Sequence, residues 1–403
     1  MKRYAVVGAL FTLSMLLYID RVCLSAGKGS IATDLHLSDT AIGWVFAAFS
    51  LGYSLGQVPS GWFADRAGPR LALTVVVAGW SVLIALTSTA WNLTSLVALV
   101  FLFGVAEAGS LPGGLRVVCN WLPPEERGRA NGVQFSGMRI GAAISFPLVT
   151  WMLTRWQWRV SFQLLGIVGV FWALAWMLFF RDHPAKPLPK VAVPVGPIPR
   201  LGEILRSRRM LFTFAQYFAI NFTFIICVTW MLPYLKAQYH LTDSRAAAYS
   251  MAPLLFGATA QWIAGFAVDR IYRSPLRIWS RRIPGIVGLS ISTIGVLGLV
   301  RADSLLTATA CFTMAAFGVD MTISPSWVFC ADIAGKNAGS VSAAMNMIGN
   351  IGAFVSALAF PYLKQLTGSA VTFFVLAGIL NIAGIACWLQ MRSLEPAAVV
   401  NRI

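Results

Sequence analysis

Apolar residues run in twelve segments of helical length, at about 4–26, 40–63, 70–90, 93–118, 129–154 and 158–180, then at about 210–236, 244–271, 283–300, 303–327, 337–363 and 369–391. About 20 residues at 1.5 Å each cross the ~30 Å hydrocarbon core of a bilayer. The pattern therefore predicts an all-α membrane protein of twelve transmembrane helices, arranged six and six. Between the two sets, Pro184, Pro187, Pro189, Pro194, Pro197 and Pro199 crowd a stretch that cannot continue a helix. The predicted organisation is a six-helix bundle over 1–180, a cytoplasmic linker over 181–209 and a second six-helix bundle over 210–403.

Composition agrees with the pattern. Of 403 residues, 58% are hydrophobic and only 11% charged, too few charges to clothe a water-facing surface. The six cysteines stand singly with no CxxC pair, so neither a disulfide framework nor a metal cluster is expected. Lys2 and Arg3 lead into an apolar run without a small-residue cleavage site, which reads as an uncleaved first helix. The net charge of +16 would point to nucleic acid in a soluble chain, but the basic residues lie between apolar segments rather than along one stripe, so no nucleic-acid partner is expected. Counted by alternate loops, 21 Lys and Arg fall on the side of both termini and the linker and 7 on the other. That bias places both termini in the cytoplasm. Short loops and compact size favour a bacterial inner membrane, with the chain acting as a monomer.

The two sets echo each other. Gly61-Trp62-Phe63-Ala64-Asp65-Arg66 ends the second span, and Gly265-Phe266-Ala267-Val268-Asp269-Arg270 ends the eighth, 204 residues later. A duplicated six-helix unit is the simplest account, and such repeats place a substrate site between the halves near the bilayer midplane. Gly61 allows close helix approach, while Arg66 and Arg70 add to the cytoplasmic positive charge. Asp65 is able to cap the next helix or to pair across the half interface, and it is read, with Asp269 and Arg270 at the repeated position, as a conformational gate.

Gly61 to Arg70, reading GWFADRAGPR, resembles the loop signature of the major facilitator superfamily. Within that superfamily the chain resembles the anion:cation symporter family of sugar-acid permeases and sialin. This likeness is carried by Tyr18-Ile19-Asp20-Arg21 with Leu24-Ser25, by Tyr53, Gln57 and Pro59, by Gly104 to Pro112, and by Trp121-Leu122-Pro123 with Glu126-Arg127. Thr229 to Leu235, Asn346 and Gly349-Asn350 complete it. The resemblance implies that Arg21 contacts a substrate carboxylate and that Asp20 takes up a proton. One position departs from the family, which usually carries an arginine seven residues before the glutamate of the fourth span; here that residue is Val100.

Ionisable groups in hydrocarbon need a partner, a proton or water. Asp20, Arg21, Glu107, Arg139 and Asp320 fall within spans, with Arg116 at a border. Asp20 and Arg21 adjoin, so on a helix they point about 100° apart, one free to face a cavity while the other braces the bundle. Glu107 lies about 20 Å along the fourth span, deep in the core, and is read as a proton-coupling acid. Arg139, about 15 Å up the fifth span, is read as supplying the cation missing at Val100, reaching either the substrate anion or Glu107; a structural pair with Glu107 or Asp320 is the competing reading. Asp320 lies 213 residues after Glu107 in the repeat counterpart of the fourth span and is read as a second protonatable site or a partner for Arg139. The pairs Tyr53 with Gln57 and Asn346 with Asn350 each share a helix face and suit the hydroxyls of a sugar-like ligand, while Trp230 is placed in the cavity wall.

No GxxxxGK[ST] run occurs, so no nucleotide cofactor is expected and an ion gradient must supply the work. The expected function is proton-coupled import of a small organic anion, a sugar acid or hydroxy carboxylate, by alternating access. Efflux or facilitated transport of a neutral or lipophilic solute is the alternative, and buried arginines argue against it. An intramembrane enzyme is not expected, because His36, His183 and His240 all fall at loops or helix ends.

Overall fold

Helix follows helix along the chain, as the apolar runs require: with no water to satisfy them, backbone amides and carbonyls inside a bilayer must pair within their own segment. The computed structural model describes residues 3–184 and 201–391, and no strand occurs among them. The spans are α1 (Arg3–Ala26), α2 (Asp39–Ala67), α3 (Pro69–Thr87), α4 (Leu93–Trp121), α5 (Arg127–Arg155), α6 (Trp158–Phe179), α7 (208–239), α8 (Ala252–Tyr272), α9 (Arg282–Gly298), α10 (Leu305–Ala334), α11 (Ala338–Thr367) and α12 (Val371–Gln390). Most of the expected linker, residues 185–200, lies outside the described residues.

Nine continuous helical stretches among the described residues are long and apolar enough to cross a membrane, and one of them, Leu305–Thr367, holds both α10 and α11. The spans missing from that set have evident reasons. α5 carries Arg127, Arg129, Arg139 and Arg155, and α7 is interrupted by a π-helical turn at Ile226–Trp230. α4 is also broken: its first helix ends at Glu107 and its second begins at Ser110. Breaks of this kind free backbone groups and recur where spans line a site.

Local signals fix several helix starts. Ser38 accepts from the Ala41 amide before α2, Asn92 and Ser95 cap α4 reciprocally, and Ser207 and Ser304 cap α7 and α10. Large apolar side chains stand exposed along the helices, among them Phe171, Leu178 and Phe179 on α6, the surface expected of a chain solvated by lipid.

The chain divides into two compact units. One comprises Met1–Trp121, Gly137–Ala185 and Asn337–Met347, the other Leu122–Ser136, Lys186–Lys336 and Ile348–Ile403. The second holds a cluster in which Phe222, Phe312, Phe373 and Phe374 are buried together. The repeat is written in the backbone too: His36 and His240, 204 residues apart, both end a helix in the left-handed conformation at φ 52° and 51°.

Candidate functional site

Three helices of the first unit converge on one buried ion pair. Arg21 Nε on α1 donates to Glu107 Oε1 on α4 at 2.5 Å, and Nη2 lies 2.5 Å from the same oxygen. The Glu107 side chain is fully buried whereas 26% of the Arg21 side chain stays accessible. The guanidinium is caged by the rings of Tyr18, Phe49 and Tyr53, with centroids 5.5, 5.2 and 4.5 Å away. Aromatic faces offer a cation a partner that is not an acid, so the cage holds the guanidinium independently of Glu107.

Small residues make the convergence possible. A Cβ on Gly52 of α2 would strike the Phe101 carbonyl, one on Gly56 would lie 2.7 Å from the Val105 carbonyl, and one on Gly104 of α4 would strike the Phe49 carbonyl. α2 and α4 therefore touch backbone to backbone, which sets Tyr53 beside the site. The break after Glu107 falls at Ala108 and Gly109, where Ser110 Oγ donates back to the Glu107 carbonyl at 2.8 Å. Val100 is fully buried and, two turns before Glu107, lies on the same face. A cation that meets Glu107 is Arg21, from α1. Arg139 itself is buried, at 3% exposure.

Asp20, next to Arg21, turns to another neighbour. Its Oδ2 accepts from the indole Nε1 of Trp80 on α3 at 3.0 Å; Asp20 is 1% exposed and Trp80 not at all. Trp80 and Phe49 do not stand out in the sequence, and Tyr18 does so only through the family likeness, because an aromatic in an apolar span carries no mark of a polar partner.

The polar neutrals are partly brought together. Asn346 donates to the Tyr53 hydroxyl at 3.3 Å, and Gln57 is buried one turn beyond Tyr53. Asn350 follows Asn346 by one turn of the continuous α11, on the same face. Trp230 lies against Phe360, ring centroids 5.1 Å apart, beside the aromatic cluster of that unit. Asp320 is fully buried and accepts from Gln261 Nε2 at 3.0 Å. Gln261 follows Gln57 by the same 204 residues that separate Asp65 from Asp269, so each half sets a glutamine of its second helix at this level.

The two repeated aspartates, near the ends of α2 and α8, act as tertiary helix caps. Asp65 accepts from the amides of Gly339 and Ser340 at 2.8 and 2.7 Å and from Ser340 Oγ at 2.7 Å, with Arg116 Nε 4.0 Å away. Asp269 accepts from the Gly128 and Arg129 amides at 2.8 and 3.0 Å and from Arg129 Nε at 3.0 Å. A carboxylate on the orphan amides of a first turn is favoured by hydrogen bonding and by the helix dipole. This explains why the start of α11 clusters with the first unit and the start of α5 with the second. Asp65 does not cap the helix that follows it: the Arg70 amide of α3 donates to Asp182 at 2.8 Å instead. Arg70 also donates to the Met177 carbonyl through Nε and Nη2, Arg66 stacks on Trp62, and Arg270 is exposed.

Glycine seats both caps. A Cβ on Gly61 would lie 2.5 Å from the Gly339 carbonyl, and one on Gly265 would lie 2.5 Å from that of Gly128. Backbone carbonyls on packed helices cannot swing aside, so Gly61→Ala is expected to part the ends of α2 and α11. With Ser342→Cys, a buried position, as reporter, maleimide labelling in membranes should speed up about tenfold, corresponding to a little over 1 kcal/mol of overpacking. Equal labelling rates would show that the contact yields without opening.

A duplicated array of helical spans with charged side chains paired inside it is an architecture found in membrane transporters. Residues 10–357 match the Major Facilitator Superfamily, and the chain belongs to that family. It is 30% identical over 393 residues to a probable sulfoacetate transporter of Cupriavidus necator, covering 94% of this chain and 91% of the relative. It is also 30% identical over 390 residues to the hexuronate transporter of Bacillus subtilis, covering 94% and 92%. These relatives place it in the anion:cation symporter group. Its fold is similar to that of the proton:xylose symporter XylE, with a TM-score of 0.79 over 98% of this chain and 97% of that one at 12% identity.

Proposed function

We propose that the protein is a proton-coupled symporter that imports a small organic anion, a sugar acid or hydroxy carboxylate, across a bacterial inner membrane with both termini in the cytoplasm. The observation that carries this reading is the Arg21 to Glu107 pair: a partly accessible arginine side chain in an aromatic cage, its Nε hydrogen-bonded to one oxygen of a fully buried carboxylate and its Nη2 in ionic contact with the same oxygen. A planar donor fork suits a carboxylate, and here an internal carboxylate already holds it.

An incoming anion must then compete with Glu107. If Glu107 takes up a proton it ceases to be an anion, and the guanidinium is freed to bind the substrate with its cage intact. Loss of the proton on the other side of the membrane restores the internal pair and expels the anion. Proton binding thus precedes anion binding, which is the linkage a symporter needs. Tyr53, Gln57, Asn346 and Asn350, with Trp230, would serve the hydroxyl-bearing part of the cargo, and Arg139 would supply further positive charge. Asp20 and Asp320 would carry the remaining exchangeable protons. Alternating access would proceed by rocking of the halves 1–180 and 210–403 about the linker, and the Asp65 and Asp269 caps, with Gly61, Arg66, Arg70 and Arg270 around them, would release in turn.

The relatives' names support an anionic cargo: sulfoacetate in one and hexuronate in the other. Uptake of labelled glucuronate and galactonate into proteoliposomes, set against a lipophilic dye, tests the reading. Saturable uptake of a sugar acid that is stimulated by external acid is expected. Transport of the dye with no sugar-acid uptake would refute it.

A further inference from the structure

Asp20 and Trp80 form a unit that the ion pair does not explain. Among the described residues Asp20 Oδ2 is held by one donor, the indole Nε1 of Trp80 at 3.0 Å, while Oδ1 is buried with no hydrogen-bond partner. Trp80 is fully buried in the middle of α3, so its ring cannot turn away without leaving a large cavity. An indole N–H only donates. It therefore always addresses an oxygen acting as acceptor, whichever state the carboxyl is in.

We propose that Trp80 is the positioning residue for proton exchange at Asp20, fixing the carboxyl through Oδ2 so that Oδ1 is the oxygen that gains and loses the proton. The inference rests on the proton-coupled reading above and adds to it a residue outside the substrate's reach. Other charged or titratable groups stand around this carboxyl. Glu107 on α4 is the like charge that acts on Asp20, Cys23 is buried one turn on along α1, and Arg21 is engaged by Glu107. The elements packed on α1 also carry Arg116, Arg139 and Arg159, the last paired with Asp34 at 2.8 Å, and the short helix after α1 begins at Lys28. Trp80 is the neighbour that contributes a hydrogen bond and no charge. Removing its N–H therefore changes the orientation and proton affinity of Asp20 while the surrounding charges stay as they are.

The test replaces the N–H and little else. Trp80→Phe is the simple variant; 3-benzothienylalanine incorporated at position 80 keeps the bicyclic shape with sulfur in place of N–H and guards against a folding defect. In proteoliposomes, the pH at half-maximal uptake is expected to move to higher pH by about one unit in both variants, because a donor to the ionised form has been lost. Infrared difference spectra give an independent readout. The carbonyl band of protonated Asp20, identified by its absence in Asp20→Asn, should move to higher wavenumber once Oδ2 no longer accepts. A merely structural Trp80 would lower the rate at every pH and move neither the midpoint nor the band, and that result with benzothienylalanine overturns the inference. The underlying reading fails differently: uptake by the unaltered protein would be indifferent to pH, or Asp20→Asn would still accumulate substrate, and the inference would fall with it.

Discussion

Replacing Arg21 by glutamine is expected to lower uptake of a sugar acid, measured well below saturation, by at least about a hundredfold. The cost of removing one member of a desolvated charge pair, about 2–5 kcal/mol, corresponds to roughly thirty to several thousandfold. Two effects combine. The substrate loses its cation, and Glu107, fully buried, is left without the partner that makes its charge tolerable. The second effect is separable by measurement. Arg21→Gln combined with Glu107→Gln should recover whatever protein yield the single change loses and recover none of the uptake. Arg21→Lys keeps the charge and loses the fork, and should lie between the extremes. Uptake by Arg21→Gln within a few fold of the unaltered protein would remove Arg21 from the site.

Glu107→Gln is expected to separate exchange from accumulation. The amide is neutral at every pH, so it mimics the protonated acid and leaves the guanidinium open to the anion. Counterflow, in which labelled substrate exchanges for unlabelled, should persist at a rate comparable with that of the unaltered protein at acid pH and become nearly independent of pH. Accumulation against a gradient should fall to the level without protein, because nothing remains at position 107 to expel the anion or to take up a proton from the other side. Loss of counterflow together with accumulation would place Glu107 in substrate binding alone; retention of accumulation would remove it from coupling.

Much of this arrangement was legible in the chain because lipid enforces it. Apolar runs must be helices, so the twelve spans follow from hydropathy, and the 204-residue echo from Asp65 to Asp269 reappears in the matched geometry of the two caps. The charged residues in spans could be read as candidates since hydrocarbon does not tolerate them idle. Their partners were less legible. That Arg21 meets Glu107, 86 positions away, is a meeting of α1 and α4 that no local signal names, whereas the close approach of α2 to α4 that sets Tyr53 beside the pair was signalled by Gly52, Gly56 and Gly104. Asp65 reads as a cap by residue type, yet which helix it caps is a tertiary fact, settled by Gly61 against Gly339. Trp80 gave no signal at all, since a tryptophan in an apolar span looks the same whether its N–H meets lipid headgroups or a carboxylate. The break after Glu107 was hidden for a similar reason: the run through Ala108 and Gly109 is as apolar as its flanks, and a lone glycine is tolerated in many helices.

The most direct test of the central claim, that acids kept in an apolar interior exchange protons for an organic anion, is to follow both species at once in proteoliposomes carrying a pH-sensitive dye inside. With no gradient imposed, adding glucuronate or galactonate outside should acidify the lumen in step with uptake of the label, and an imposed inward proton gradient should drive accumulation above the external concentration. Saturable uptake of the label with no change in luminal pH, and no response to the imposed gradient, would contradict the account.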